Sequence, residues 1–189
     1  RYRARLALDP RTVRLAVVVH RMVNAEVAGV LFTANPLASK RREAVLDASP
    51  GLGEVVVSGA TTPDHFVIDT ATGAILERRI GAKQLEIRPA AGGGTERVER
   101  ASQQQACISD AQLRALARLG AQVEAHFGAP QDIEWAIDAE GVCWLLQSRP
   151  VTTLFPLPAG APPSDAELRV YLCFNAQQGS TRPSTPIGI

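Results

Sequence analysis

The chain has 189 residues, of which 46% are hydrophobic and 21% are charged. This balance is typical of a globular domain of ordinary size and excludes a wholly disordered chain. Lys and Arg total 20 and Asp and Glu total 19, so the net charge is +1, which argues against general electrostatic binding to nucleic acid or to an anionic membrane. No apolar run approaches the roughly 20 residues that span a bilayer. The three cysteines are far apart, which favours reduced thiols and a cytoplasmic location.

The first half of the chain is predicted to consist mainly of β-strands. Apolar runs rich in β-branched residues alternate with stretches that contain Gly, Pro, Asn or Asp, as expected for short strands joined by turns. The predicted strands are residues 15–19, 28–33 and 43–48, followed by a hairpin with arms at 66–69 and 74–77. A further short apolar run occupies residues 54–58.

The second half combines one helix with a second hairpin. Residues 85–108 lack periodicity, and the Gly-rich part is expected to be a flexible loop. Ser109 is suited to cap a helix, apolar residues recur at helical spacing up to residue 127, and Gly128 is suited to end it. A hairpin with arms at 133–137 and 142–146 follows.

These elements predict an α+β fold with a mostly antiparallel sheet and one or two packed helices. Residues 1–155 are predicted to form one domain, and residues 156–189, which begin with Pro- and Ala-rich sequence, a linker and tail toward a further domain. Because the first residue is Arg1 rather than methionine, we expect the chain to be a piece of a longer protein.

Three polar residues lie on the predicted second hairpin. Glu134 is on the first arm, and Gln147 and Arg149 are two residues apart on the second arm, so these two share one face. With the turn near residue 140, positions 134 and 147 are expected to lie opposite or diagonal to each other. The other face is expected to be the core, with apolar residues dominating around the three: Ile133, Trp135, Ile137, Trp144 and Leu146.

This combination of side chains suits a nucleoside triphosphate with its metal ion. Carboxylate and amide oxygens are hard ligands of the kind that Mg²⁺ accepts beside phosphate oxygens. A guanidinium group binds phosphate through two parallel donors and offsets the charge that develops in phosphoryl transfer. The alternative is a surface Glu–Arg salt bridge of little energetic weight beside a Gln, and the residues alone leave both interpretations open.

The order of several motifs resembles the ATP-binding (ATP-grasp) domain of the phosphoenolpyruvate synthase and pyruvate phosphate dikinase family. The resemblance covers roughly residues 13–153. The matching segments are VVVHRMV at 17–23, AGVLFTANP at 28–36, GLGEVVVSG at 51–59, DIEWA at 132–136 and QSRPVT at 147–152. The resemblance implies the C-terminal subdomain of an ATP-grasp fold, with ATP and Mg²⁺ as cofactors.

The resemblance also implies roles for the three hairpin residues. Glu134 and Gln147 would hold the metal ion and the phosphates. Arg149 would contact the terminal phosphates and act as the catalytic residue.

Four further residues come from the segments nearer the N-terminus. Met22 and Val23 would line the adenine, and Glu54 lies in the matching Gly-rich motif, as a candidate nucleotide contact with a less definite role. His20 stands where the family commonly has Gln, so an adenine contact and a buried strand histidine both remain open.

Lys83 is expected on the solvated surface, with a phosphate contact as the alternative.

The family's activity implies a phosphotransferase that passes a phosphoryl group from ATP to a histidine and then to an acceptor. Two branches fit, rifampicin phosphotransferase and phosphoenolpyruvate synthase (pyruvate, water dikinase), and the residues after Arg149 look more like the former. Three parts of such an enzyme are expected elsewhere in the parent protein: the N-terminal ATP-grasp half, the phosphohistidine domain and the acceptor-binding domain. We therefore expect this chain alone to be inactive. A non-catalytic nucleotide-binding or scaffold module is the alternative.

Overall fold

A six-stranded antiparallel sheet forms the centre of the protein. The structure is a computed structural model that describes residues 17–102, 104–154 and 160. In chain order the elements are β1 (Ala25–Phe32), β2 (Glu43–Pro50), α1 (Glu54–Val57), β3 (Asp64–Asp69), β4 (Ile75–Arg79), β5 (Leu85–Pro89), β6 (Thr95–Glu99), α2 (Asp110–Phe127), β7 (Gln131–Asp138) and β8 (Cys143–Pro150). The strand order in the large sheet is β4-β3-β2-β1-β7-β8, and β5 and β6 form a separate two-stranded sheet. The predicted α+β class is thereby confirmed.

The long helix α2 begins and ends where the sequence predicts. Ser109 and Gln112 form a reciprocal capping box at its start, and Gly128 ends it in the left-handed conformation, with φ of 70°. At Gly120 the helix lies so close to the sheet that an added Cβ would stand 2.8 Å from the side chain of Leu31. The helix therefore packs directly on β1.

The helix divides the sheet into two faces. Its buried residues Leu113, Leu116 and Ala117 pack with one set of alternating strand residues, which includes Ile133 and Trp135. Residues that alternate with this core set point to the other face of the sheet, because successive strand residues face opposite sides. We call the face turned away from α2 the outer face. Glu134 lies on the outer face.

The predicted strand at residues 15–19 is wrong where the structure describes it. Val17, Val18 and Val19 have no regular secondary structure and are 79–92% exposed, while residues 15 and 16 lie outside the described residues. A β-branched run forms a strand only where another strand is there to pair with it. His20 is exposed as well, so the interpretation as a buried strand histidine is also wrong.

The region predicted to lack periodicity contains the hairpin β5–β6, and the Gly-rich segment is its turn. In β5 apolar and charged residues alternate from Leu85 to Arg88, but β6 (TERVE) has only one apolar residue, so the hairpin shows no continuous apolar pattern. Glu86 is buried at a polar position of this pattern and forms ion pairs with Arg88 and Arg100.

The expectation that Lys83 is solvated is wrong. Its side chain is fully buried, with Nζ 2.5 Å from Oδ1 of Asp64 and 2.7 Å from the carbonyl oxygen of Gly81. Asp64 also accepts hydrogen bonds from the backbone N–H groups of Gly81 and Cys107. The side chain of Lys83 is therefore not accessible to a phosphate.

Residues 17–154 belong to one compact unit, which ends at Leu154. The predicted linker and tail, residues 156–189, lie outside the described residues except for residue 160, and the predicted domain boundary stays a prediction. Neither helix in the described part of the chain is long and apolar enough to cross a membrane.

Candidate functional site

The hairpin β7–β8 has the register that the sequence predicts at its polar positions. Glu134 lies directly opposite Gln147, and Asp132 lies directly opposite Arg149. Residues directly opposite on neighbouring strands point to the same face, so these four side chains share the outer face. Glu134 is half-buried, whereas Gln147 and Arg149 are exposed.

Asp132 is a site residue that the sequence analysis missed. Its Oδ2 accepts a hydrogen bond of 2.8 Å from Nε of Arg149 and lies 2.8 Å from a terminal guanidinium nitrogen. The salt bridge of Arg149 therefore forms with Asp132 and not with Glu134. The signal was present in the sequence, since Asp132 is two residues before Glu134 and so lies on the same face.

A β-bulge changes the face of the residues nearer the turn. The register shifts between Glu134 and Trp135, which leaves Leu146 without an opposite partner and pairs Trp144 with Ala136. If the register of Glu134 and Gln147 continued to the turn without the extra residue, Trp144 would face Ile137 on the core side, because a one-residue shift reverses the face of every side chain. Trp144 and Leu146 are instead 46% and 39% exposed, so the expectation that they are core residues is wrong.

A groove of about 590 Å³ lies between the segment before β1 and the turn end of this hairpin. Residues 20–24 line one side, and residues 138–140 and 144–146 line the other. The structure thus brings His20, Met22 and Val23 together in one groove. Met22 is 64% exposed, and Val23 is half-buried.

The turn end of the hairpin is fixed by one carboxylate. Oδ2 of Asp138 accepts a hydrogen bond of 2.7 Å from the indole nitrogen of Trp144, and Oδ1 accepts one of 2.8 Å from the backbone N–H of Val142. The hydrogen bond from Trp144, followed by that from Val142, lowers the pKa of the Asp138 carboxyl below its ordinary value. Asp138 is therefore ionised at neutral pH and holds one edge of the groove.

Residues 51–59, which match the family's Gly-rich motif, follow β2 and lie over the outer face. Gly51 has a φ of 78°, and an added Cβ would stand 2.4 Å from the carbonyl oxygen of Ile87 in β5. The Cβ position of Gly53 lies 3.6 Å from Cβ of Ala28, which is on the outer face opposite Ala136. Glu54, exposed at the start of α1, therefore lies on the side of the sheet that carries Glu134.

The oxygen donors on the hairpin fit a magnesium ion held jointly with phosphate. No group of three or more His, Cys, Asp or Glu that could hold a metal occurs among the described residues. Mg²⁺ is usually bound by one or two carboxylates together with water and substrate phosphates, and not by a cage made only of protein ligands. Glu134 and the amide oxygen of Gln147, on opposite positions of the ladder, match that requirement.

Comparison with known proteins gives the family. The family model for the pyruvate phosphate dikinase AMP/ATP-binding domain matches residues 1–166. The chain belongs to this family. The resemblance carried by the motifs is therefore confirmed, and ATP binding is the property that the family's description states.

The relatives belong to two named groups of enzymes. Rifampicin phosphotransferases of Streptomyces sviceus and Bacillus subtilis are 45% and 43% identical over the whole chain. A probable phosphoenolpyruvate synthase of Pyrococcus horikoshii is 43% identical over 81% of the chain. The chain spans only about a fifth of the length of these relatives, 21% of the first and 20% of the last.

Proposed function

We propose that this chain is the ATP- and magnesium-binding part of a dikinase-type phosphotransferase. The observation that carries the proposal is the position of the groove and of the polar residues on one hairpin. The groove lies at the turn end, and Glu134, Gln147 and Arg149 lie further along the same strands. A strand rise of about 3.3 Å per residue separates Asp138 from Glu134 by about 13 Å. An extended ATP molecule along the outer face has its base in the groove and its phosphates beside the polar residues.

Different residues of the chain bind the adenine, the metal ion and the phosphates. Met22 and Val23, with His20, form one wall for the adenine. Glu134 and Gln147 would hold Mg²⁺, which when bound offsets the negative charge of the phosphates. Arg149 donates hydrogen bonds to the terminal phosphates and stabilises the charge that develops as a phosphoryl group leaves. We assign Glu54 to the same nucleotide site, since its segment lies over the outer face.

The antiparallel sheet covered on one face by α2 supports assignment as the C-terminal subdomain of an ATP-grasp fold. In that assignment the N-terminal half of the fold, the phosphohistidine domain and the acceptor-binding domain belong to other parts of the parent protein. The chain's coverage of about a fifth of its relatives' length supports this division. The whole protein would transfer a phosphoryl group to a histidine and then to the acceptor, and release AMP and phosphate.

We propose rifampicin as the acceptor of the parent protein. Rifampicin phosphotransferases match all of this chain, whereas the phosphoenolpyruvate synthases match 81% of it. Full-length protein incubated with ATP and rifampicin is expected to release AMP and phosphorylated rifampicin. AMP release with pyruvate alone would assign it to the other branch, and absence of AMP with either acceptor would favour a non-catalytic module.

The binding site itself is tested by calorimetry with ATP and Mg²⁺. Glu134→Ala and Arg149→Ala are each expected to weaken nucleotide binding, because each removes a contact to the metal–phosphate group. Arg79→Ala is the matched control, since Arg79 is ion-paired with Glu77 at the opposite edge of the sheet. Tight binding that survives both hairpin substitutions would show that the nucleotide site lies elsewhere.

A further inference from the structure

The two tryptophans of the chain lie on the same hairpin in opposite environments. Trp135 is fully buried in the core, whereas Trp144 is 46% exposed and lines the groove. The register on the turn side of the β-bulge pairs Trp144 with Ala136, so the side chain of Trp144 lies on the outer face. An aromatic ring that the backbone turns away from an adjacent core requires an explanation other than packing.

The orientation of Trp144 is fixed although it is exposed. Its indole nitrogen donates to Asp138, and Asp138 is itself held by the backbone N–H of Val142. The single polar atom of the indole is thus satisfied within the hairpin. The rest of the ring system is an apolar surface that lines the groove opposite residues 20–24.

We propose that Trp144 stacks on the nucleobase in the groove and favours a purine over a pyrimidine; this inference rests on the proposed nucleotide site. Base–aromatic stacking contributes substantially to affinity because every base presents a π-face. A purine covers more of an indole than a pyrimidine does, so the contribution is larger for ATP than for CTP. Trp144 precedes Gln147 by three residues, which is about 10 Å along a strand. The proposed phosphate contacts therefore do not depend on Trp144.

The test compares the full chain with Trp144→Leu and with Trp144→Phe, using Mg·ATP, Mg·CTP and Mg·tripolyphosphate as probes. Trp144→Leu is expected to raise the dissociation constant of ATP about 10-fold and to lower the preference for ATP over CTP. Binding of tripolyphosphate is expected to stay unchanged, and Trp144→Phe to retain most of the ATP affinity because it keeps an aromatic ring. Leu76→Ala, at an exposed apolar position in β4 on the opposite edge of the sheet, is the matched control.

A second measurement does not depend on the folding of a variant. ATP is expected to quench the fluorescence of the exposed indole in the unmodified chain, while tripolyphosphate leaves it unchanged. Unchanged fluorescence on saturation with ATP would overturn the proposal. ATP binding by Trp144→Leu at the strength of the unmodified chain, or equal weakening of ATP and tripolyphosphate, would also overturn it.

The substitution Glu134→Gln separates the two proposals. If Glu134→Gln weakens ATP and tripolyphosphate and Trp144→Leu weakens neither, the stacking proposal alone is wrong. If Glu134→Gln leaves both probes bound as before, the proposed phosphate site is wrong, and the stacking inference, which rests on it, is withdrawn with it.

Discussion

The guanidinium group of Arg149 lies 2.8 Å from the carboxylate of Asp132, directly across the ladder between β7 and β8. The side chain of Arg149 is nevertheless 64% exposed, whereas that of Asp132 is 11% exposed. The carboxylate thus orients the guanidinium group through Nε and one terminal nitrogen, while most of the Arg149 side chain stays accessible. A planar donor group held in this way is prepared for a ligand with several oxygens.

Arg149→Lys tests whether geometry matters beyond charge. The variant keeps a positive charge but loses the planar pair of donors, so we expect about 10-fold weaker ATP binding, or about 1.4 kcal/mol. Calorimetry measures the effect, and Arg79→Lys at the other edge of the sheet is the control. Unchanged ATP affinity in Arg149→Lys would mean that Arg149 makes no directed contact with phosphate.

The buried pair Lys83–Asp64 predicts a large effect on stability. Lys83→Met leaves the Asp64 carboxylate buried without its charged partner, and we expect a loss of about 3–5 kcal/mol in the free energy of unfolding. Lys40→Met, in an exposed ion pair with Glu43, is expected to cost less than about 1 kcal/mol. Urea unfolding of the two variants makes the comparison, and equal losses would show that the burial of Lys83 carries no energetic weight.

Gly51 and Gly59 are a matched pair of positions for testing how closely residues 51–59 pack against β5. Both have positive φ, at 78° and 68°, but an added Cβ meets the backbone of Ile87 at Gly51 and open space at Gly59. Gly59→Ala is therefore expected to cost only the conformational strain, about 1–2 kcal/mol, and Gly51→Ala distinctly more. Thermal unfolding measures both variants, and Gly51→Ala is also expected to weaken ATP binding because it displaces the segment before Glu54. A smaller loss for Gly51→Ala than for Gly59→Ala contradicts the close approach to β5.

The hydrogen bond between Asp138 and Trp144 predicts a change in tryptophan fluorescence at acidic pH. The folded-state pKa of Asp138 lies below the ordinary value of 3.8, so the contribution of the carboxylate is complete above that pH and is lost as the pH falls through the lowered pKa. The fluorescence of Trp144 is expected to change in that acidic range and to be constant from there to neutrality. Asp138→Asn is expected to abolish the transition, and a transition that persists in this variant would assign it to another group.

Much of the fold was predictable because local chemistry and global structure agree there. The helix cap at Ser109, the glycine at 128 and the alternation along β7 each specify their element locally. Counting from the turn near residue 140 brings Glu134 and Gln147 within one residue of each other, and the β-bulge between Glu134 and Trp135 places them directly opposite. Prediction failed where the burial of a residue or the formation of a strand depends on contacts with residues distant in sequence.

Three features of the structure could not be predicted from the sequence pattern. Glu86 and Lys83 are buried charges, and their partners follow only from the tertiary structure. The β-bulge at Leu146, which changes the register between the turn and Gln147, has no glycine or proline to mark it. The roles assigned to the site residues stay proposals.

The most direct test of the account is the magnesium dependence of ATP binding. ATP is titrated into the unmodified protein and into the double variant Glu134→Gln, Gln147→Leu, each with saturating Mg²⁺ and with Mg²⁺ removed by chelation. We predict that the unmodified protein binds ATP at least about 10-fold more tightly with Mg²⁺ than without it and that the double variant shows no such difference. An equal gain from Mg²⁺ in both proteins would contradict the assignment of Glu134 and Gln147 as the metal-binding pair.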